Sequence, residues 1–141
     1  MRIAIDVDGV LAATDPAQLV RDAHLPGFFA GLSPVEGALE GIAALARTHE
    51  VFVCSSAMYV PHAFAEKFGW LERHLPFISP DRLVFCGRKY VIAADVLVDD
   101  SIHGLERFAG RGILFTRPYN AHDPYLDRAR DWPHLVAMLS A

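Results

Sequence analysis

The stretch Arg2-Ile3-Ala4-Ile5-Asp6-Val7-Asp8-Gly9-Val10 begins as a short apolar run and ends on two carboxylates one residue apart. A near-continuous apolar run of this length is expected of a strand buried on both faces of a parallel sheet. Asp6 and Asp8 then stand at the carboxyl end of that first strand. Two such carboxylates can serve together as nucleophile, acid/base and metal ligands, and Gly9 lets backbone N–H groups come close to a bound anion. Phosphoryl transfer through an aspartyl intermediate needs that combination, so phosphatase chemistry is the leading expectation.

Working outward from this run, apolar runs alternate with amphipathic segments. Thr14–Pro26 is short and mixed and reads as a loop or one helical turn. From Pro34, a first-turn proline, Val35–Thr48 carries Val35, Leu39, Ile42 and Leu45 at helical spacing. Glu50–Cys54 reads as a second strand. Pro61–His74 reads as a helix with Phe64, Phe68 and Leu71 on one face. Arg82–Cys86 and Asp95–Val98 are a third and a fourth strand, Ser101–Phe108 a short helix, Gly112–Thr116 a fifth strand and Trp132–Leu139 a closing helix. Strands separated by helix-length segments predict right-handed crossovers and an α/β fold, a parallel sheet of about five strands with helices on both faces.

Ligands of such sheets bind outside the carboxyl ends of the strands. Asp6 and Asp8 follow the first strand and Ser55-Ser56 the second. Lys89 comes three residues after the third, and Asp99-Asp100 directly follow the fourth. Four successive strands thus release a hydroxyl, an amine or a carboxylate at one end, a stronger signal than any single motif.

Composition fits that picture. The chain has 141 residues, 52% of them apolar and 21% charged, as in an ordinary globular protein with one core. The net charge of −4 comes with no Lys/Arg cluster, so no strong nucleic-acid-binding patch is expected. No stretch approaches the ~18 apolar residues of a membrane span. The first strand carries a charge, unlike a signal peptide. Cys54 and Cys86 end apolar runs and read as reduced, buried thiols, so a cytoplasmic protein is expected.

The motifs DVDGV (6–10), VCSS (53–56), Lys89 and LVDD (97–100) resemble those of the haloacid dehalogenase superfamily of phosphohydrolases. Longer stretches resemble the 5′(3′)-deoxyribonucleotidase-like family within it: PGFFAGLSPVEGALE (26–40), FVCSSA (52–57), EKFGWLERHLPFI (66–78), GRKYVIAADVLVDD (87–100) and GILFTRPYN (112–120). Asp131-Trp132 looks like the family's terminal Asn-Trp pair. The resemblance implies that Asp6 attacks phosphorus and Asp8 protonates the leaving oxygen, then activates water. It implies that backbone N–H groups near Asp8 and Gly9, with the Ser55 hydroxyl, hold the phosphoryl oxygens, and that Lys89 supplies a positive charge and orients Asp6. Mg²⁺ would be held by an Asp6 oxygen, the Asp8 carbonyl, Asp100 and waters, as its preference for hard oxygen ligands requires. Asp99 would stand behind Asp100, though the reverse assignment is open.

Each residue also has a plainer reading. Asp99-Asp100-Ser101 and Ser55-Ser56 could cap helices, and Ser56 could donate one hydrogen bond and nothing more. Lys89 alone would be a solvated lysine. Phe28-Phe29 could stack on a base or bury against the sheet, the favoured option. Asn120 matches a family position and is a substrate-binding candidate, with a turn role equally open. The histidines lack metal-ligand spacing; His103 is the one weak candidate.

One departure from the family pattern stands out. Family nucleotidases carry a helical cap of several dozen residues between the DxDGV motif and the GFF segment. Here only about 16 residues, Leu11–Pro26, separate the two. Residues 1–141 are therefore expected to form one catalytic core domain, with 11–26 as a reduced cap. The expected activity is Mg²⁺-dependent hydrolysis of a small phosphomonoester, with nucleotides as the substrate class. Alternatives are a larger substrate, such as a phosphorylated nucleic-acid end or a phosphoprotein, and a non-catalytic binding module. A homodimer shielding the open site is a further expectation.

Overall fold

Strand β1, Arg2–Asp6, lies at the centre of the sheet, and its residues alternate between two apolar cores. In the computed structural model, which describes residues 1–140, Ile3 and Ile5 face the larger core and Ala4 the smaller one. Period-two alternation with both faces buried is what lets a run with no polar face fold as a strand. On one side β1 pairs in parallel with β2 (Glu50–Ser55), with Asp6 opposite Cys54. On the other it pairs with β4 (Val96–Asp99), with Ile5 opposite Val98. The flanking strands are β3 (Leu83–Phe85), β5 (Arg111–Phe115) and β6 (Arg128–Ala129).

All pairings are parallel, and the strand order is β3-β2-β1-β4-β5-β6. The sheet thus has six strands, one more than the apolar runs predict. The extra strand, β6, is two residues long and has no apolar run. It is held by Thr116 N–H donating to the Ala129 carbonyl at 2.9 Å and by the Arg128 guanidinium, which bonds the carbonyls of Tyr125, Asn120 and Asp123.

Helices α2 (Ala38–Ala46), α3 (Pro61–His74) and α5 (Trp132–Leu139) bury Ile42, Leu45, Trp70, Leu71, Trp132 and Leu135 against one face. Helix α4 (Ile102–Leu105) covers the other with Leu105 and the following Phe108. Boundaries of α3 and α5 match the sequence reading; α2 starts later than Val35. Gly37 sits at φ +78°, a left-handed conformation that stops the helix from extending backward. Pro34 and Val35 instead pair with the loop after β1, where Val35 N–H donates to the Leu11 carbonyl at 2.8 Å. Helix α1 (Pro16–Asp22) has seven residues, more than the single turn expected. Asp15-Pro16 is an N-cap followed by a first-turn proline, with Asp15 accepting from Gln18 N–H at 2.8 Å.

Helix α3 also corrects the expected face. Phe64 and Phe68 are exposed, and the buried stripe is Ala63, Lys67, Trp70 and Leu71. The segment before α2 is fastened to this helix. Glu66 accepts from the N–H groups of Gly27 and Phe29 at 3.0 Å and of Ala30 at 3.3 Å. Trp70 donates to the Leu32 carbonyl at 2.7 Å, and Arg73 to the Ala30 carbonyl at 2.6 Å. Phe29 is buried beside Ala23, Ala57 and Ala63, so of the two readings for Phe28-Phe29 burial holds for Phe29, against α3 rather than the sheet. Trp132 closes the large core, its indole N–H donating to the Val10 carbonyl at 2.8 Å.

Candidate active site

From β1 the chain runs β2 then β3 on one side and β4, β5, β6 on the other, so the strand order reverses beside β1. Loops leaving neighbouring strands diverge at such a point and open a crevice at their carboxyl ends. The crevice here is a cleft of about 660 Å³ whose lining includes Asp6, Asp8, Ser56, Lys89, Asp99 and Asp100. The sequence-predicted stations therefore meet in one place.

Asp6 is the last residue of β1, and Asp99 the last of the adjacent β4. The Lys89 ammonium lies between them, donating to Asp6 Oδ1 at 2.6 Å and to Asp99 Oδ2 at 2.9 Å. The other Asp99 oxygen accepts from Ser101 N–H at 3.0 Å. All three side chains are buried. Burial and the nearby Asp99 push the Asp6 carboxyl well above the usual carboxylate range, and Lys89 only partly offsets them. Burial alone would lower the Lys89 ammonium, but Asp6 and Asp99 outweigh it and hold the group charged well beyond its ordinary range.

Asp100 lies across from this pair and accepts a hydrogen bond from the Tyr119 hydroxyl. Asp6, Asp99 and Asp100 each offer an oxygen, and these atoms lie within 4.8 Å of one another. Three hard oxygen donors with one ammonium between them leave a local excess of negative charge that suits a divalent cation. Asp99 has both oxygens engaged by Lys89 and Ser101, which leaves Asp6 and Asp100 as the freer donors. Burial foremost, opposed by the Tyr119 bond and reinforced by Asp99, pushes the Asp100 carboxyl up to about 6.

A carboxyl raised on folding stabilises the protein below its unfolded value, and that contribution disappears as pH rises through the folded value. Metal-free protein should lose stability between about pH 4 and pH 6 through Asp100, by up to about 3 kcal/mol at ~1.4 kcal/mol per unit. Denaturant titrations across that range should show the slope, Asp100→Asn should flatten it, and a divalent cation should restore stability at neutral pH. An identical slope in both proteins would contradict the assignment.

Gly9 has a different part from the one expected. Its N–H is committed to the Ala12 carbonyl at 2.9 Å, so it does not itself grip an anion. Its φ is +83°, and a Cβ there would collide with the Asp100 carboxylate and the Tyr119 hydroxyl. Gly9 clears the space in which these groups meet. Among the described residues the Asp8 N–H has no protein acceptor and is the one left to face a ligand.

Asn120 lines the cleft from the β5–β6 connection. It is 2% exposed, donates to the carbonyls of Asp100 and Phe115 at 2.9 and 2.8 Å, and accepts from Arg117 N–H at 2.8 Å. With its amide bonded to backbone, it braces the turn under Asp100 at the cleft wall. Ser55 is buried at the end of β2, while Ser56 is exposed and lines the cleft. His103 lines the rim with its side chain 92% exposed.

The sequence reading missed Lys67 and Tyr119. Lys67 is 2% exposed and donates to Asp8 Oδ2 at 2.7 Å, Ser55 Oγ at 2.8 Å and the Ser56 carbonyl at 2.9 Å. The available signal was a lysine at helical spacing within the stripe Ala63, Trp70 and Leu71, since lysine is almost never fully buried unless paired. Tyr119 gave no signal, because its approach to Asp100 depends on the fold of the β5–β6 connection.

Residues 14–141 match the family described as 5′ nucleotidase, deoxy (pyrimidine), cytosolic type C protein (NT5C). A Staphylococcus aureus (strain Mu50) protein, provisionally named a 5′(3′)-deoxyribonucleotidase, is 39% identical over 107 residues, covering 76% of this chain and 59% of that protein. The 5′(3′)-deoxyribonucleotidase of Bacillus subtilis (strain 168) is 36% identical over 111 residues, covering 79% of this chain and 64% of that protein. The chain thus spans about three fifths of the length of these curated relatives. In fold it is similar to a haloacid dehalogenase-like family hydrolase from Xanthomonas campestris, with a TM-score of 0.66, 13% identity and coverage of 99% of this chain and 94% of that one. By sequence, the chain belongs to the 5′ nucleotidase, deoxy (pyrimidine), cytosolic type C family, and its fold is that of the haloacid dehalogenase-like hydrolase.

Proposed function

We propose that the chain is the catalytic core of a Mg²⁺-dependent phosphomonoesterase that works through an aspartyl phosphate on Asp6, with nucleotides as its substrate class. The observation that carries this reading is the convergence of Asp6, Asp8, Lys89, Asp99 and Asp100 on one cleft at the carboxyl ends of β1 and β4. Asp6 and Asp100, with the Asp8 carbonyl, would hold the cation, and Asp99 would support them through Lys89. Bound Mg²⁺ supplies neutralisation of the charge gathered between the carboxylates and the phosphoryl oxygens.

Asp6 is the nucleophile: one carboxylate oxygen is oriented by Lys89, and the other is free to attack phosphorus in line. The P–O bond to the leaving group breaks as Asp8 delivers its proton to the leaving oxygen. Asp8 then takes a proton from the water that attacks the aspartyl phosphate, releasing phosphate and restoring both carboxyls. Lys89, the Asp8 N–H and the hydroxyls of Ser55 and Ser56 receive the phosphoryl oxygens. The Ser55 oxygen accepts from Lys67, and its own proton remains available to donate. Lys89 and the Asp8 N–H are held by the fold before the substrate arrives, which is what makes such contacts effective in the transition state.

Residues 11–26 take the place where the family pattern has a cap. Here they form the turn after β1 and helix α1, whose Pro16 and Leu19 reach the cleft wall. Nucleotides are favoured as substrates because the curated relatives carry that name. The free thiols Cys54 and Cys86 support a reducing, cytoplasmic setting, and among the described residues no helix is long and apolar enough to cross a membrane.

A kcat/KM panel in Mg²⁺ tests the substrate class. Deoxynucleoside 5′- and 3′-monophosphates should exceed sugar phosphates by about tenfold or more. A preference for 3′- or 5′-phosphorylated oligonucleotides would move the reading to polymer ends. Absence of hydrolysis across the panel would leave a binding module instead.

A further inference from the structure

Among the described residues, Lys67 is the buried charged group near the cleft to which the chemistry above gives no role of its own. An ammonium has three donors and no acceptor, and all three are taken, by Asp8 Oδ2, Ser55 Oγ and the Ser56 carbonyl. The Phe29 ring lies 4.7 Å from Nζ and closes off the remaining side. Helix α3 therefore reaches through one side chain to both the loop after β1 and the loop after β2. Asp8 Oδ1, by contrast, is buried with no hydrogen-bond partner. An unpartnered carboxylate oxygen beside one that is fully engaged is the atom left to carry and exchange a proton.

We propose that Lys67 is the positioning residue for Asp8, holding Oδ2 so that the carboxyl keeps one orientation and Oδ1 is the oxygen left to exchange a proton with the leaving group and the water. This rests on the reading of Asp8 as the acid/base. In the first step Oδ1–H gives its proton to the leaving oxygen, which keeps the electron pair of the broken P–O bond. In the second, Oδ1 takes a proton from water as the water oxygen bonds phosphorus and the Asp6–phosphorus bond breaks. Lys67 exchanges no proton; its ammonium keeps the Asp8 carboxyl from rotating.

The consequence is dependence on the leaving group. p-Nitrophenolate departs readily without a proton, whereas an alkoxide does not. Lys67→Met should therefore lose about 10- to 100-fold more kcat/KM on an alkyl phosphomonoester, such as glycerol phosphate, than on p-nitrophenyl phosphate, a part of the roughly 10²- to 10⁴-fold that a general acid contributes. Asp8→Asn should show the same selectivity, and the double variant should lose little beyond Asp8→Asn alone, since the two act as one unit. Equal losses on both substrates, or fully additive losses in the double variant, would overturn the proposal.

Two further outcomes separate the causes. If Asp8→Asn itself loses activity evenly on both substrates, the acid/base reading fails; if Asp8→Asn is selective and Lys67→Met is not, only the positioning role fails. Should Lys67→Met not fold, Asp8→Asn in the same chain is expected to restore folding, because it removes the half-buried carboxylate left without its cation. Continued failure to fold would contradict the pairing.

Discussion

Asp6→Asn is expected to reduce kcat on p-nitrophenyl phosphate by roughly four orders of magnitude or more, as loss of a covalent nucleophile generally does. An amide has the same shape as the carboxylate but neither its charge nor its nucleophilic oxygen. The same substitution should leave the protein as stable as the parent or more so. Asp6 is a buried carboxyl whose pKa is raised by burial and by Asp99, with Lys89 offsetting only part of that. Removing its charge relieves the repulsion and costs little packing. Steady-state kinetics and thermal unfolding on one preparation make the test: activity lost with stability kept is the expected pair. Unchanged turnover would end the aspartyl-nucleophile reading.

Lys89→Met should do the opposite to stability. The ammonium bridges Asp6 and Asp99 at 2.6 and 2.9 Å in a buried setting. Its removal leaves two buried carboxylates without their cation, a change that costs about 3–5 kcal/mol when one partner of a buried pair is deleted. Activity should also drop by about 10²–10³, since a fixed positive charge at the transferring group is gone. Without Lys89 the carboxyls take up protons more readily in the folded state than in the unfolded chain, so the folded variant gains relative stability as pH falls. Urea denaturation at pH 7 and pH 5 should therefore show a smaller deficit at the lower pH. A deficit that is constant or grows as pH falls would mean that Lys89 does not serve as the counter-ion.

Much of this arrangement is legible from residue order. Apolar runs at 2–7, 50–54 and 95–98 announce strands because both of their faces are buried, and the polar residues that follow them meet because parallel strands all point their carboxyl ends one way. Helices α3 and α5 have clear starts, at Pro61 after Val60 and at Trp132 after the Asp131 cap, whose carboxylate accepts from His134 N–H at 2.8 Å. What escaped depends on tertiary context. Gly37 reads as a tolerable helix glycine until its positive φ is known. Strand β6 is defined by its hydrogen bonds to β5 and has no pattern of its own. Lys67 resembles any helical lysine until the burial of Ala63, Trp70 and Leu71 shows which face of α3 is turned inward. For Asn120 and Gly9 position in the chain suggested a ligand contact, and hydrogen bonding shows that their polar groups are spent within the fold.

The phosphoryl group can be looked for on Asp6 itself. Acid-quenched mass spectrometry of the Asp8→Asn protein, incubated with p-nitrophenyl phosphate and Mg²⁺, should find a hydroxylamine-sensitive phosphoryl adduct on the peptide that contains Asp6, because the second step lacks its base. An adduct mapped to another residue, or none in protein that still turns substrate over, would contradict phosphoryl transfer through Asp6.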